Sequence, residues 1–275
     1  MTFLEVPGAR LYYESAGKGP PLVMIPGANG DADVFKPVGE PLARHYTVIT
    51  YDRRGFSRSR LLGPQDYRCR LETDADDVRR LIEHLSDEPA TLFGASSGAL
   101  VAFEVLIRHP WVVDTLVAFE PPAVKQLPDG QRWIDFFSGV YTLWHQSGPG
   151  PALERFRGEA FAEADRMVMA RARESGKGPQ AAANAAYWFE HELRQYPAVE
   201  LDLGGLRPHS ERIVLAVGRD SVGYPCHRVN AALAERLGRD LVELPGGHVG
   251  FVAHPDEFAR ELLAALSPRH ARHDH

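Results

Sequence analysis

The stretch Gly94-Ala95-Ser96-Ser97-Gly98 decides the fold. It follows an apolar run at residues 90–93 that is typical of a buried strand, and it opens an apolar helix predicted over residues 98–109. The pattern G-x-S-x-G at such a junction is typical of a nucleophilic serine exposed on a sharp turn. Small residues are needed there because the strand and the helix approach closely.

Ser96 is the predicted nucleophile, since it occupies the centre of the pattern. Ser97 is the rival hydroxyl, but its place at the start of the helix favours a different role. There its backbone N–H can point toward negative charge that develops beside Ser96. The alternative interpretation of the whole stretch is a Gly- and Ser-rich turn that only caps a helix.

Outward from this stretch, short apolar strands alternate with amphipathic helices. Strands are predicted at residues 11–13, 22–25, 46–50, 112–119, 213–217 and 241–244, and helices at 34–43, 71–85, 230–237 and 256–266. Residues 52–64 are predicted to form a polar loop. This alternation indicates an α/β domain with a parallel sheet covered on both faces.

Residues 123–205 break the alternation, because they contain helical patterns and many aromatic residues but no strand pattern. The sequence therefore predicts a helical insertion between two parts of one sheet. The sheet domain is predicted to comprise residues 1–122 and 206–268. Residues 269–275 are predicted to be a disordered tail.

His248 is the predicted general base. It lies in a Gly-rich loop after the last predicted strand, where a side chain can reach the crevice above the sheet. It also follows Ser96 in the chain order Ser, acid, His. Eight of the other eleven histidines lie on or beside predicted helices, before Pro255 or in the tail.

Two carboxylates compete to orient His248, as an imidazole base requires. Asp220 follows the strand predicted at residues 213–217, and Glu120 ends the strand predicted at residues 112–119. Both positions can deliver a carboxylate to the same crevice. Asp220 could instead be a turn residue, and Glu120 a solvated residue before Pro121-Pro122.

A second oxyanion donor is expected in the loop Pro26-Gly27-Ala28-Asn29-Gly30. The backbone N–H of Ala28 is the predicted donor, because small residues allow the main chain to approach the reacting oxygen. Asn29 is a candidate substrate contact and, alternatively, a turn-forming residue.

Composition excludes several classes of function. The 275 residues carry 31 Lys and Arg against 37 Asp and Glu, and no basic stripe indicates a nucleic-acid partner. Cys69 and Cys226 form neither a disulfide framework nor a zinc motif, and no H-E-x-x-H pattern occurs. No secretory signal or membrane span is evident, so a cytoplasmic protein is expected. Because the metal-binding motifs are missing, neither a metal nor a cofactor is expected.

These motifs resemble the α/β-hydrolase superfamily over nearly the whole chain. They include Pro26-Gly27, the segment at residues 51–59, the Ser96 turn, Gly218-Arg219-Asp220 and Gly247-His248. The resemblance implies a mostly parallel eight-stranded sheet flanked by helices, with residues 123–205 as a helical lid. Trp133, Trp144, Tyr187 and Trp188 would then be candidate walls of an apolar pocket, although ordinary packing is the alternative for each.

Within the superfamily, residues 95–99, Phe119-Glu120-Pro121 and the segment around His248 are similar to the fungal zearalenone lactonases. That similarity implies Glu120 as the triad acid, whereas Asp220 occupies the usual position of the superfamily. Both remain candidates on the sequence.

The expected activity is hydrolysis of an ester or lactone of a small, largely apolar substrate through an acyl-enzyme. Three alternatives would use the same triad: a cofactor-free perhydrolase, a C–C bond hydrolase and a small-ligand receptor. A purely structural scaffold is the fourth alternative. The sequence does not determine the oligomeric state.

Overall fold

The computed structural model describes residues 2–28, 30–175 and 179–270. These residues form a sheet of nine strands in which eight follow the order β1-β2-β4-β3-β6-β7-β8-β9, and β5 pairs with β2. The strands are β1 (Thr2–Val6), β2 (Ala9–Ala16), β3 (Pro21–Ile25), β4 (Thr47–Tyr51), β5 (Arg60–Leu61), β6 (Ala90–Ala95), β7 (Val113–Phe119), β8 (Ile213–Gly218) and β9 (Leu241–Leu244).

All pairings of β2 are antiparallel, and the pairs from β4 through β3, β6, β7 and β8 to β9 are parallel. Every residue of β3, β6 and β8 is buried. Such strands need apolar side chains on both faces, which explains their continuous apolar sequences. The predicted mostly parallel sheet is confirmed, but it has nine strands rather than the predicted eight, because the short β5 is added beside β2.

Helices cover both faces of the sheet. They are α1 (Lys36–Leu42), α2 (Arg70–Leu85), α3 (Ser97–Arg108), α4 (Gly130–Ser147), α5 (Pro149–Ala160), α6 (Glu163–Ser175), α7 (Pro179–His191), α8 (Leu203–Leu206), α9 (Pro225–Leu237), α10 (Gly250–Ala253) and α11 (Pro255–His270).

Successive residues of β3 show how the two faces are filled. Val23 and Ile25 pack in one core cluster with α2 and α3, whereas Leu22 and Met24 pack in the other with α1 and α11. This alternation follows from the two-residue period of a strand. Both faces of the sheet are therefore packed with apolar side chains, which leaves the carboxyl ends of the strands as the place where polar side chains can gather.

Helices α4–α7, called here the inserted helices, lie between β7 and β8 in the chain. Several of the aromatic residues in this region are buried: Trp133, Phe137, Phe161, Trp188 and Phe189. Phe161 lies in the α5–α6 connection. All of these buried aromatic residues except Phe161 belong to the core cluster that also contains residues of α2 and α3.

Three local predictions differ from the structure. Strand β1 was not anticipated, and Arg60–Leu61 forms β5 within the predicted loop at residues 52–64 because it pairs with β2. Helix α11 continues to His270, two residues into the predicted tail, and residues 271–275 lie outside the described residues. In the described part of the chain, no helix has both the length and the apolar character to cross a membrane.

Candidate active site

Ser96 lies on a sharp turn between β6 and α3, with φ of 55° and ψ of −123°. A positive φ is strained for a residue with a side chain, and such strain is common at functional sites. A Cβ on Gly98 would lie 2.1 Å from the Ile25 carbonyl oxygen, and one on Gly94 would lie 2.4 Å from the Gly98 carbonyl oxygen. The two glycines therefore make the turn possible.

His248 lies between β9 and α10, and its ring is held by Glu120. The distance from His248 Nδ1 to Glu120 Oε2 is 2.6 Å, and Glu120 and His248 are only 1% and 7% exposed. The other carboxylate oxygen, Oε1, accepts a hydrogen bond of 2.9 Å from the backbone N–H of Gly218. Glu120 itself has φ of 50°, so the chain bends sharply where the carboxylate leaves β7.

Asp220 is exposed on the turn that follows β8. Its backbone N–H donates to the Gly246 carbonyl oxygen at 3.0 Å. Because Nδ1 of His248 is bonded to Glu120, the choice between the two carboxylates that the sequence left open resolves to Glu120 for this contact. The turn at Arg219–Ser221 carries Asp220 to the surface instead.

The loop after β3 lies against Ser96. A Cβ on Gly27 would be 3.0 Å from the Ser96 Cβ and 3.7 Å from Oγ, so a side chain there would crowd Ser96. Ala28 follows in a half-buried turn, and Ser97 is the first, buried residue of α3. Ser97 therefore follows Ser96 directly in the chain, and Ala28 follows the glycine that lies against the Ser96 side chain. Asn29 lies outside the described residues.

The inserted helices place an aromatic surface against His248. The ring of Phe161 lies 4.7 Å from the His248 ring between centroids. Phe156 joins Phe161 to Trp188, with centroid distances of 5.2 Å and 5.0 Å. Trp188, one of the four predicted wall residues, is thus connected to the His248 ring through Phe156 and Phe161.

The other three predicted wall residues have packing partners elsewhere. Trp133 packs against its α4 neighbours Phe136 and Phe137. Trp144 stacks on Phe189, with centroids 4.8 Å apart.

Tyr187 meets Phe56 edge-on, and its hydroxyl accepts a hydrogen bond from Arg70. It lines a cavity of about 250 Å³ with Arg54 and Tyr67. A role for these three aromatic residues in substrate binding stays a prediction.

Asp165 of α6 is a feature that the sequence analysis missed. It is 2% exposed, and Oδ1 accepts a hydrogen bond of 3.0 Å from the Val249 N–H. Its Oδ2 packs on Gly247, where a Cβ would be 2.3 Å away. Burial raises the pKa of this carboxyl above its ordinary value. The sequence contains no signal for Asp165, because α6 carries many charged residues, and none that separates Phe161 from the other aromatic residues of the insertion.

The site residues come together because their strands are parallel neighbours. Gly27, Ser96, Glu120 and His248 each follow the carboxyl end of a strand in the series β3-β6-β7-β8-β9. In such sheets, functional side chains gather at this edge. Among the residues that the structure describes, no group of three or more His, Cys, Asp or Glu is placed to hold a metal ion.

Comparison with known proteins identifies the family. The family model described as the alpha/beta hydrolase fold matches residues 20–196. A Bacillus subtilis (strain 168) protein, the uncharacterized hydrolase YraK, is 33% identical over 264 residues, which cover 94% of this chain and 93% of that protein. The chain belongs to the α/β-hydrolase family.

Two further relatives of this α/β-hydrolase were found. The zearalenone hydrolase of Bionectria ochroleuca is 27% identical over 276 residues, covering 93% of each chain. The crystal structure of the enol-lactonase from Burkholderia xenovorans LB400 has a TM-score of 0.72 at 20% identity and covers 97% of this chain and 100% of that chain. The predicted superfamily and its similarity to zearalenone hydrolases are confirmed, and the chain is a hydrolase of this family.

Proposed function

We propose that this α/β-hydrolase cleaves an ester or lactone bond of a small, largely apolar substrate, with Ser96, His248 and Glu120 as its triad. The observation that carries the proposal is the buried contact of 2.6 Å between His248 and Glu120, at the sheet edge where the strained Ser96 turn also lies. A carboxylate at Nδ1 fixes the tautomer that leaves Nε2 as the base.

In the proposed mechanism, His248 Nε2 takes the proton of the Ser96 hydroxyl while Oγ attacks the carbonyl carbon. The N–H groups of Ala28 and Ser97 stabilise the resulting oxyanion. The intermediate collapses to an acyl-enzyme when His248 protonates the leaving alkoxide oxygen. A water molecule, deprotonated by His248, then attacks the acyl-enzyme and releases the acid and free Ser96.

The inserted helices support an apolar substrate, and we propose that they act as a lid. Phe161 lies on the His248 ring, and Phe156 and Trp188 continue this surface away from it. An alkyl or aryl group beside the scissile carbonyl would meet these rings. The relative named zearalenone hydrolase supports a lactone within this substrate class.

Turnover of p-nitrophenyl esters and aryl-substituted lactones tests the proposal. The wild type should show multiple turnovers, and Ser96→Ala should lower kcat by at least about 10⁴-fold because the nucleophile is lost. Ser147→Ala, which removes an exposed hydroxyl at the end of α4, serves as the control. Undiminished turnover in Ser96→Ala would contradict the proposal.

The same assays separate the alternatives. Peracid formation with hydrogen peroxide in place of hydrolysis would indicate a perhydrolase. Cleavage of β-diketones but of no ester would indicate a C–C bond hydrolase. Saturable ligand binding without multiple turnover would indicate a receptor. Each of these outcomes would overturn the proposed ester or lactone hydrolysis.

A further inference from the structure

Arg53, in the segment after β4, is a fully buried arginine with three different acceptors. Its Nη1 donates to Asp74 Oδ2 at 3.0 Å, and its Nη2 donates to Glu192 Oε2 at 2.7 Å. The same Nη2 also donates to the carbonyl oxygen of Gly27 at 2.9 Å. A buried charge needs such partners, but a backbone carbonyl beside the candidate nucleophile is not required for charge balance.

The partners of Arg53 join three parts of the molecule. Asp74 lies on α2 and accepts a further hydrogen bond of 2.7 Å from the Tyr196 hydroxyl. Glu192 directly follows α7, the last of the inserted helices, and its Oε1 accepts from Arg70 at 2.8 Å. Burial alone would lower the pKa of the Arg53 guanidinium, but Glu192 and Asp74 outweigh it and raise that pKa. Arg53 is therefore a fixed cation.

The Gly27 carbonyl belongs to the same peptide unit as the Ala28 N–H. It is held on one side by Arg53 and by the Gly30 N–H, which donates to it at 2.9 Å. In a planar trans peptide the C=O and the N–H point in opposite directions. Fixing the carbonyl therefore fixes the direction of the Ala28 N–H, and Gly27 lies directly against the Ser96 side chain.

We infer that Arg53 is a positioning residue for the oxyanion hole: it anchors the Gly27 carbonyl and so aims the Ala28 N–H at the oxygen that becomes negative. Glu192 extends this control to the inserted helices, because it holds Arg53 in place from the end of α7. The inference rests on the proposed function, since it concerns the oxyanion of that reaction.

A neighbouring ion pair offers a matched control. Arg54 is also buried, and its Nε and Nη2 donate to the two carboxylate oxygens of Asp77 at 2.7 Å. Arg54 directly follows Arg53 in the chain. Besides Asp77, its guanidinium donates to Gln65 Oε1 and to the Pro7 carbonyl oxygen, and not to Gly27. Asp77→Asn perturbs a buried ion pair without releasing the Gly27 carbonyl.

The test compares Arg53→Lys, Glu192→Gln and Asp77→Asn in the full-length enzyme on one p-nitrophenyl ester. A lysine cannot bind Asp74, Glu192 and Gly27 at once, because it lacks the planar fork of arginine. Arg53→Lys should lower kcat by about 10- to 100-fold, less than the ~10²–10³-fold loss of a whole oxyanion donor, with KM changed by less than about threefold. Glu192→Gln should shift kcat in the same direction, and it carries the test if Arg53→Lys does not fold.

Inhibition by an aryl trifluoromethyl ketone, whose serine adduct carries an oxyanion, provides the second measurement. Its Ki should rise by the same factor as kcat falls in Arg53→Lys and stay near the wild-type value in Asp77→Asn. Equal kcat and Ki in the Arg53 and Asp77 variants would overturn the inference while leaving the triad intact. Undiminished activity in Ser96→Ala would instead overturn the proposed function, and this inference with it.

Discussion

Phe161 packs on the ring of His248, with centroids 4.7 Å apart and planes inclined by 44°. The contact connects the inserted helices to the proposed base through an apolar surface, while Asp165 of α6 holds the next residue, Val249, by its backbone. The position of the insertion therefore sets both the apolar surroundings of the imidazole and the path of the chain that carries it. Substrate preference and the stability of the site should respond to changes in these side chains.

Phe161→Ala should weaken the use of aromatic substrates. An aromatic pair contributes about 0.5–1.5 kcal/mol beyond its buried area, so kcat/KM for an aryl ester should fall by about 2- to 13-fold when this ring is lost. The fall should be smaller for an acetyl ester, which is too short to reach the ring. Trp111→Ala, at an aromatic residue that is 61% exposed, is the control. Equal losses for both esters would show that Phe161 does not contact the substrate.

Glu120→Gln should lower kcat by about 10³- to 10⁴-fold, because the neutral amide no longer stabilises the imidazolium and favours the wrong tautomer. Asp220→Asn should stay within about twofold of the wild type, since Asp220 is exposed and its backbone, not its carboxylate, bonds to Gly246. Steady-state kinetics on one ester checks both. The reverse ranking would assign the acid to Asp220.

Asp165→Asn should change how stability depends on pH. Burial raises the pKa of Asp165 above the ordinary value of 3.8, so the folded protein binds this proton more tightly than the unfolded chain does. The stability from this group is present below the ordinary pKa and is lost as pH rises through the raised one. Asparagine resembles the protonated acid and keeps an acceptor for Val249, so the variant should gain stability relative to the wild type across that window.

Denaturant unfolding from about pH 4 to about pH 7 measures this difference. Asp66→Asn is the control with the opposite sign, because hydrogen bonding from Arg68 lowers the pKa of that exposed carboxyl. A difference between wild type and Asp165→Asn that does not change with pH would show that Asp165 has an ordinary pKa in the folded protein.

Gly98→Ala should destabilise the fold, because its Cβ would lie 2.1 Å from the Ile25 carbonyl oxygen, and the strand and helix would have to separate. Overpacking of this kind costs about 1–3 kcal/mol, and the backbone contact here places it at or above the upper end. Gly158→Ala has open space around its Cβ in α5 and should stabilise by up to about 1 kcal/mol. Urea unfolding compares the two; equal effects would contradict the packing argument.

The sequence predicted the parts of the site that depend on local pattern. Ser96 and His248 could be singled out because a strand, a glycine-rich turn and a helix follow one another around each. The sequence did not allow a choice of the carboxylate that contacts His248, since Glu120 and Asp220 both follow apolar strands. They differ in the structure because the turn at Arg219–Ser221 directs Asp220 to the surface.

Contacts between distant segments were beyond the sequence. Phe161 and Asp165 reach the His248 segment only because the inserted helices pack on the sheet domain, and the helical periodicity of those segments does not encode that arrangement. The bond between Arg53 and Glu192 joins residues 139 positions apart. The sequence does not indicate this ion pair, because most arginines and glutamates lie at the surface.

Mass-spectrometric mapping of a fluorophosphonate adduct tests the central claim most directly. In the folded wild type, the adduct should form on the peptide that contains Ser96 and at that residue, and labelling should slow by several orders of magnitude in His248→Ala, which lacks the base. Absence of the adduct from Ser96 in folded protein, or equally fast labelling without His248, would contradict a serine nucleophile activated by this imidazole.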